Sequence, residues 1–324
     1  MARMGESRVP VAMQPQPADC SFDLERALGA VVGLHSLVPA GAFTAEVLGT
    51  ERAGNGVVID DGLVLTVGYL VMEAETVWIH PNYGNAVPGH ALGFDYETGF
   101  GLVQALGRLD IAPLPLGSAH DAEIGRRVIT GGAGGRVNSI AGKVVAREPF
   151  AGYWEYALDA AIFVAPAHPN WGGTALISER GELVGVGSLQ LESTAEGSKA
   201  RPVNMMVPTD LLKPVLPDLT AYGRVNKPER PWLGLYATEI DNQVVVADIA
   251  SNGPAAQAEL KSGDVILAVK GETVETLLDF YHKLWALGTA GVDVPLTLHS
   301  HGVTFDLSLK SVGRAAMMHR PKLH

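Results

Sequence analysis

The chain has 324 residues, 47% of them hydrophobic, and a formal net charge of −11. That length and apolar content suffice for two domains with separate cores and no covalent cross-links. The acidic balance disfavours a phosphate backbone or an anionic membrane surface as the main ligand, so nucleic acid is not expected, and membrane insertion is not expected because no stretch approaches the roughly eighteen uninterrupted apolar residues of a span.

Residues 1–22 read as a flexible tail. Around Val9-Pro10-Val11-Ala12-Met13 they lack an apolar stretch of the length a secretory signal needs, which predicts a cytoplasmic protein, or a periplasmic one if a leader has been removed. Cys20 is the single cysteine, so no intrachain disulfide can form, and it reads as an inert tail thiol. From Phe22 onward, short apolar runs alternate with glycine, proline or acidic turns. They include Ala30–Leu34, Gly56–Ile59, Leu63–Thr66, Val77–Ile79, Arg127–Ile129, Gly142–Val145 and Leu183–Val186. That spacing predicts a β-barrel or sandwich, and the 38 glycines suit its many tight turns.

Pro208–Leu216 reads as a short helix capped by Thr209, and Lys227-Pro228-Glu229-Arg230-Pro231 as a semi-rigid linker. Val274–Leu287 carries Leu277, Leu278, Tyr281, Leu284 and Trp285 at helical spacing. Val292–Leu298 and Val303–Leu309 alternate as two strands turned at His301-Gly302. The C-terminal basic residues Arg314, Arg320 and Lys322 read as part of a disordered tail.

Three segments carry a resemblance. Gly62–Val71 resembles the run in HtrA (DegP-like) proteases that ends in the catalytic histidine, Asp95–Val103 their aspartate segment, and Pro169-Asn170-Trp171-Gly172-Gly173 their nucleophile loop. On that alignment Tyr69 falls on the histidine, Gly99 on the aspartate and Trp171 on the serine. Pro231–Leu235, Ser251–Ala256 and Leu260–Gly271 resemble an HtrA-type PDZ domain. The resemblance implies a mainly β fold: a trypsin-like double β-barrel over residues 23–222, a linker over 223–231, an α+β PDZ domain over 232–312 and a tail over 313–324. It also implies peptide C termini or extended protein segments as partners, and possible trimers.

The substitutions remove the chemistry. A phenol of pKa ~10 is a poor base at neutral pH, an indole is no nucleophile, and glycine orients nothing. In the family the oxyanion hole uses the N–H two residues before the serine, which here is Pro169, and proline has none. The expectation is therefore a pseudoprotease without cofactor, acting as a peptide-binding scaffold or regulator. Two alternatives are a hydrolase using Thr174 or Ser178, and a structural subunit that modulates an active relative. Tyr69 and Trp171 could stack and plug the old cleft, or the cleft could still accept an extended peptide.

For the PDZ domain, the resemblance places carboxylate recognition at Leu233-Gly234-Leu235 and side-chain selection at Tyr281, Leu284 or Trp285. The same loop could instead only pack, with Trp232 as an interdomain anchor. Gly131–Gly135 looks like a phosphate cradle but lacks a following helix, and reads as a barrel turn. His299 and His301 lack a third ligand, so no metal site is expected. His168 reads as a locally hydrogen-bonded loop residue.

Overall fold

The computed structural model describes residues 9–193 and 200–318 and divides the chain into two compact units. The first, residues 1–148 and 160–225, holds two closed six-stranded antiparallel barrels. Strands β1 (Val31–Leu37), β2 (Glu51–Asp60), β3 (Leu63–Val67), β4 (Thr76–His80), β5 (Val87–Phe94) and β6 (Phe100–Ala105) close one barrel in the order β1-β2-β3-β6-β5-β4. Strands β7 (Arg127–Gly131), β8 (Ser139–Gly152), β9 (Tyr156–Ala165), β10 (Ala175–Ile177), β11 (Leu183–Ser193) and β12 (Arg201–Pro208) close the other in the order β10-β11-β12-β9-β8-β7.

These runs become strands because their β-branched and leucine side chains can be buried on a pleated surface. Every residue of β3 is buried, and Val128, Val144, Ile162, Leu176, Val184 and Met206 pack as the core of the second barrel. Each such side chain contributes roughly 1.5–3 kcal/mol when withdrawn from water. Closure leaves neither barrel an open edge.

The second unit comprises residues 149–159 and 226–319. Its sheet contains β13 (Leu235–Ile240), β14 (Gln243–Ile249), β15 (Val265–Val269), β16 (Glu272–Thr273), β17 (Asp293–Ser300) and β18 (Val303–Lys310). The order is β13-β14-β15-β17-β18, with β16 paired to β15, so β13 is an edge strand. The helix Leu277–Ala286 lays Leu277, Phe280, Tyr281 and Leu284 on the core, and the Thr276 side chain caps it by accepting from the Asp279 N–H. The turn at His301-Gly302 has positive φ at both residues (49° and 83°), the two-residue geometry that fits the twist of a hairpin.

Several expectations change. Residues 9–22 are packed against the first unit's surface: Val9 is 3% exposed and its N–H donates to Val137 O, while Ser21 Oγ donates to Glu179 O. Cys20 lies within this packed segment, its sulfur 3.5 Å from Gln16 O, and partial burial raises its pKa. The short helix expected near Pro208–Leu216 is a single 3-10 turn, Thr209–Leu211, and an α-helix follows over Leu216–Tyr222. Thr209 Oγ1 donates to Leu183 O and caps no helix, and Pro217 in the first turn marks where a helix can start. Arg314 is not a loose tail residue, since it begins the turn Arg314–Met317 and donates to Trp154 O. Arg320 and Lys322 lie outside the described residues.

Residues 149–159 sit in the middle of the stretch that sequence assigns to the first domain. Structurally they group with the second unit.

Candidate functional site

Tyr69 rides on a 3-10 turn, Gly68–Leu70, at the end of β3. Its hydroxyl donates to Ser188 O on β11 at 2.8 Å, and the Trp171 side chain is hydrogen-bonded to it. Because indole N–H is only a donor, Tyr69 Oη accepts from Trp171. The two aromatics thus meet through a hydrogen bond across the two barrels, where stacking was foreseen. Burial raises the phenol pKa above its already high value, with the Trp171 hydrogen bond opposing, so Tyr69 holds its proton at any working pH.

Gly99 lies in a left-handed turn. Its φ is +79°, its N–H donates to Asp95 O and its carbonyl accepts from Gly68 N–H at 2.7 Å. Gly99 thus forms a tight turn that locks the Tyr69 turn, in a conformation glycine adopts freely.

The loop carrying Trp171 is held by groups that have no catalytic use. Asn170 N–H donates to His168 Nδ1, Gly173 N–H to Gly187 O and Thr174 N–H to Trp171 O. Pro169 supplies no donor. His168 is buried; Nδ1 accepts, so Nε2 carries the hydrogen and donates to Asn138 O at 2.7 Å. Desolvation lowers its pKa, opposed by those two hydrogen bonds, and the ring stays neutral with both nitrogens occupied. It cannot serve as base for either alternative nucleophile. Thr174 Oγ1 is buried and donates to Trp171 O, and Ser178 Oγ, also buried, accepts from Arg180 N–H.

Residues that sequence reasoning passed over organise this place. Asn55 on β2 donates through Nδ2 to Asn170 O and Gly172 O, both at 2.9 Å, and its Oδ1 accepts from Ala133 N–H. Ala133 lies in the glycine-rich turn Gly131–Gly135, whose Gly134 N–H donates to Asn82 Oδ1; those donors are committed to holding the barrels. Buried Arg52 donates to Tyr69 O, Met72 O and Thr44 Oγ1, and Glu73 accepts from the N–H groups of Phe43 and Thr44. A lone arginine and asparagine in alternating strands carry no pattern that would have announced these roles.

In the second unit, Leu233 and Leu235 are fully buried and Gly234 has φ +75°. A Cβ on Gly234 would stand 3.1 Å from the Trp232 ring and 3.3 Å from Ala250 Cβ, so both conformation and space demand glycine. Trp232 is itself buried and exchanges backbone hydrogen bonds with Val312 inside this unit. The loop's donors are engaged: the Leu233 N–H donates to Glu155 Oε1 at 3.3 Å, and the Gly234 and Leu235 N–H groups also hydrogen-bond that carboxyl. Tyr281, foreseen as a pocket wall, donates through its hydroxyl to Gly152 O at 2.8 Å and accepts from Glu155 N–H at 3.1 Å. Leu284 is core, and Trp285 stacks on Tyr281 with the Arg230 guanidinium 4.2 Å over its ring. His299 Nδ1 pairs with Thr304 Oγ1, and among the described residues no group of three or more His, Cys, Asp or Glu side chains is placed to hold a metal ion. No helix among the described residues is long and apolar enough to cross a membrane.

Comparison with known proteins agrees with both units. Residues 54–186 match the trypsin-like peptidase domain and residues 231–310 the PDZ domain. The chain is 23% identical over 297 residues to the serine protease Do-like HtrA of Lactobacillus helveticus, covering 82% of this chain and 70% of that one. It is 28% identical over 243 residues to the serine endoprotease DegS of Haemophilus influenzae, covering 69% and 67% respectively. A probable periplasmic serine endoprotease DegP-like of Pseudomonas fluorescens is 26% identical over 259 residues, with 73% of this chain but only 51% of the relative covered.

Among solved structures, the HtrA-type protease AlgW with decapeptide aligns with TM-score 0.54 at 18% identity, over 90% of this chain and 97% of that one. The serine endoprotease from Yersinia pestis aligns with TM-score 0.51 at 22% identity, over 90% and 96%. At such identities these two speak for the fold. A trypsin-like peptidase domain followed by a PDZ domain, together with these relatives, supports the HtrA-like family for this chain.

Proposed function

We propose that this chain is a catalytically inactive HtrA-like protein that acts as a peptide- or protein-binding scaffold or regulator through its PDZ domain. The observation that carries this is the hydrogen-bonded pair of Tyr69 and Trp171, the residues that the resemblance puts at the positions of base and nucleophile. Serine-type hydrolysis requires a hydroxyl next to an imidazole that a carboxylate orients, and losing nucleophile or base alone removes about 10⁶ in turnover. Pro169 removes an oxyanion donor besides, worth roughly 10²–10³. The relatives are named as serine proteases, and on the resemblance this chain carries Tyr69, Gly99 and Trp171 where the chemistry needs histidine, aspartate and serine.

Binding rests on different features. The Leu233-Gly234-Leu235 loop, with its three convergent N–H groups, is suited to a carboxylate, and β13 is the edge strand beside it, with its Ala237 N–H bonded to Tyr153 O. The decisive experiment treats the purified chain with a fluorogenic peptide, casein and a fluorophosphonate probe. No turnover and no labelling are expected. Stoichiometric labelling of Thr174 or Ser178 would establish the hydrolase alternative instead. A screen of C-terminal peptides should yield binders that Gly234→Val abolishes.

A further inference from the structure

The PDZ carboxylate loop already has an occupant. In the segment Pro149–Asp159 of the second unit, the residues Gly152–Glu155 have their polar groups taken up by the surroundings a bound peptide would use. Gly152 O accepts from Tyr281 Oη, Tyr153 O from Ala237 N–H on the edge strand β13, and Trp154 O from Arg314 Nη1. Glu155 N–H donates to Tyr281 Oη, and its carboxyl takes the N–H groups of Leu233, Gly234 and Leu235. Pairing of an extended segment with a sheet edge, ending in a carboxyl group on the loop, is how a PDZ ligand binds. Ala151 and Ala157 pack against the core of the same unit, and the Tyr153 ring lies edge-on to Tyr236, 6.1 Å between centroids.

The backbone is bent to make this fit. Glu155 has φ +56°, a conformation that costs a non-glycine residue about 1 kcal/mol or more and persists where surrounding contacts over-determine it. A hairpin turn of this length has no need to bury a glutamate, because its carboxyl would be better solvated outside.

We infer that Glu155 is a resident ligand of the PDZ carboxylate loop, and that an extended peptide ending in a free α-carboxylate binds only by displacing the segment Gly152–Glu155. This rests on the peptide-binding function proposed above and adds what stands in its way.

The chemistry favours exchange over permanent closure. Desolvation raises the Glu155 carboxyl to about 8, against the lowering influence of Arg314 and the three loop N–H groups. At neutral pH it is mostly protonated, and a neutral acid accepts weaker hydrogen bonds than an ion. An α-carboxylate, with an ordinary pKa of ~3.5, arrives ionised and makes fuller use of three donors and a guanidinium. The titratable groups that share this environment are Arg314, Tyr281 and Tyr236, with Tyr153 and Asp248 acting on Tyr236. Raising pH through about 8 ionises Glu155 without an equal gain in solvation, so the segment is held less firmly above that pH than below it.

The test uses the full chain and an N-terminally fluoresceinated peptide that copies residues 145–154 followed by valine, made as free acid and as C-terminal amide. Fluorescence anisotropy should show the acid binding Glu155→Ala at least tenfold more tightly than wild type, and the amide at least tenfold more weakly than the acid. Glu155→Gln, which keeps an acceptor of the same shape, should fall between. In parallel, amide hydrogen exchange at Leu233, Gly234 and Leu235 should quicken at least tenfold in Glu155→Ala while Val294–Leu298 amides remain unchanged, which also shows that the variant is folded. Equal affinity for wild type and Glu155→Ala overturns the resident-ligand inference and leaves peptide binding standing. Unchanged exchange in the loop overturns it as well. Faster loop exchange without peptide binding supports Glu155 as the occupant and removes the peptide function.

Discussion

Replacing Glu155 by glutamine should alter how stability depends on pH in a direction that ordinary surface carboxylates do not show. The folded carboxyl titrates at about 8 against an ordinary 4.5, with desolvation as the leading cause. Below about 4.5 both folded and unfolded chains carry the proton, and the full contribution is present. Between the two values the folded chain holds a proton that the unfolded chain has released, so unfolding becomes easier as pH rises; above about 8 both are ionised and the curve is flat. At ~1.4 kcal/mol per unit the loss across that window is on the order of 4–5 kcal/mol, a large part of the roughly 5–15 kcal/mol that a domain possesses. Because the group is buried, solvent screening does little to reduce it.

The assay is urea unfolding of wild type and Glu155→Gln at intervals from pH 4.5 to 9, read as the difference between the two. Subtraction removes other titrations common to both. One such is His168, whose depressed pKa destabilises the fold on the acid side. The glutamine variant should gain on wild type by several kcal/mol as pH rises, most of it between pH 5 and 8. A difference that stays flat, or that runs the other way, would refute the argument that a desolvated carboxyl sits in the loop.

Three more outcomes are expected. Gly173→Ala should lower the melting temperature of the first unit by ~6 °C or more, because the new methyl would collide with Asn55 O in a residue with φ +76°; thermal unfolding by circular dichroism decides it. Tyr281→Phe strips Gly152 O and Glu155 N–H of their partner, at about 1–3 kcal/mol for each buried group left unpaired, and should speed exchange of the Glu155 amide. Tyr69→His/Gly99→Asp/Trp171→Ser should hydrolyse a fluorogenic peptide only at trace rates. Adding Pro169→Gly should raise that rate by roughly 10²–10³; if the triple variant alone works as well as the quadruple one, the missing oxyanion donor is not the obstacle described.

Much of the architecture was open to inspection in the one-dimensional string. Short apolar runs between glycine turns announced a β-barrel or sandwich, because local side-chain patterning is set by which face must be buried; the two barrels and the PDZ domain followed from the resemblance to HtrA proteases, with the phrase Leu260–Gly271 as its strongest part. Near Pro208 the chain makes only the 3-10 turn Thr209–Leu211, and the α-helix starts at Leu216 with Pro217 in its first turn, a boundary that local propensity alone does not fix. The packing of Val9–Ser21 was equally hidden, since a proline-rich segment carries no periodicity of its own.

The composition of the site divides the same way. Sequence alone determined that Tyr69, Gly99, Trp171 and Pro169 lack the groups serine-type hydrolysis uses, because nucleophilicity, basicity and an N–H donor are properties of the residue type. Folding alone decided what they do instead. The hydrogen bond from Trp171 to Tyr69, the neutral tautomer of His168 and the bridge from Asn55 to Gly172 depend on distances between strands far apart in the chain. Glu155 shows the limit most sharply. One glutamate in a turn looks like solvent-facing punctuation, and it becomes the occupant of a carboxylate loop about eighty positions away only when the backbone brings it there.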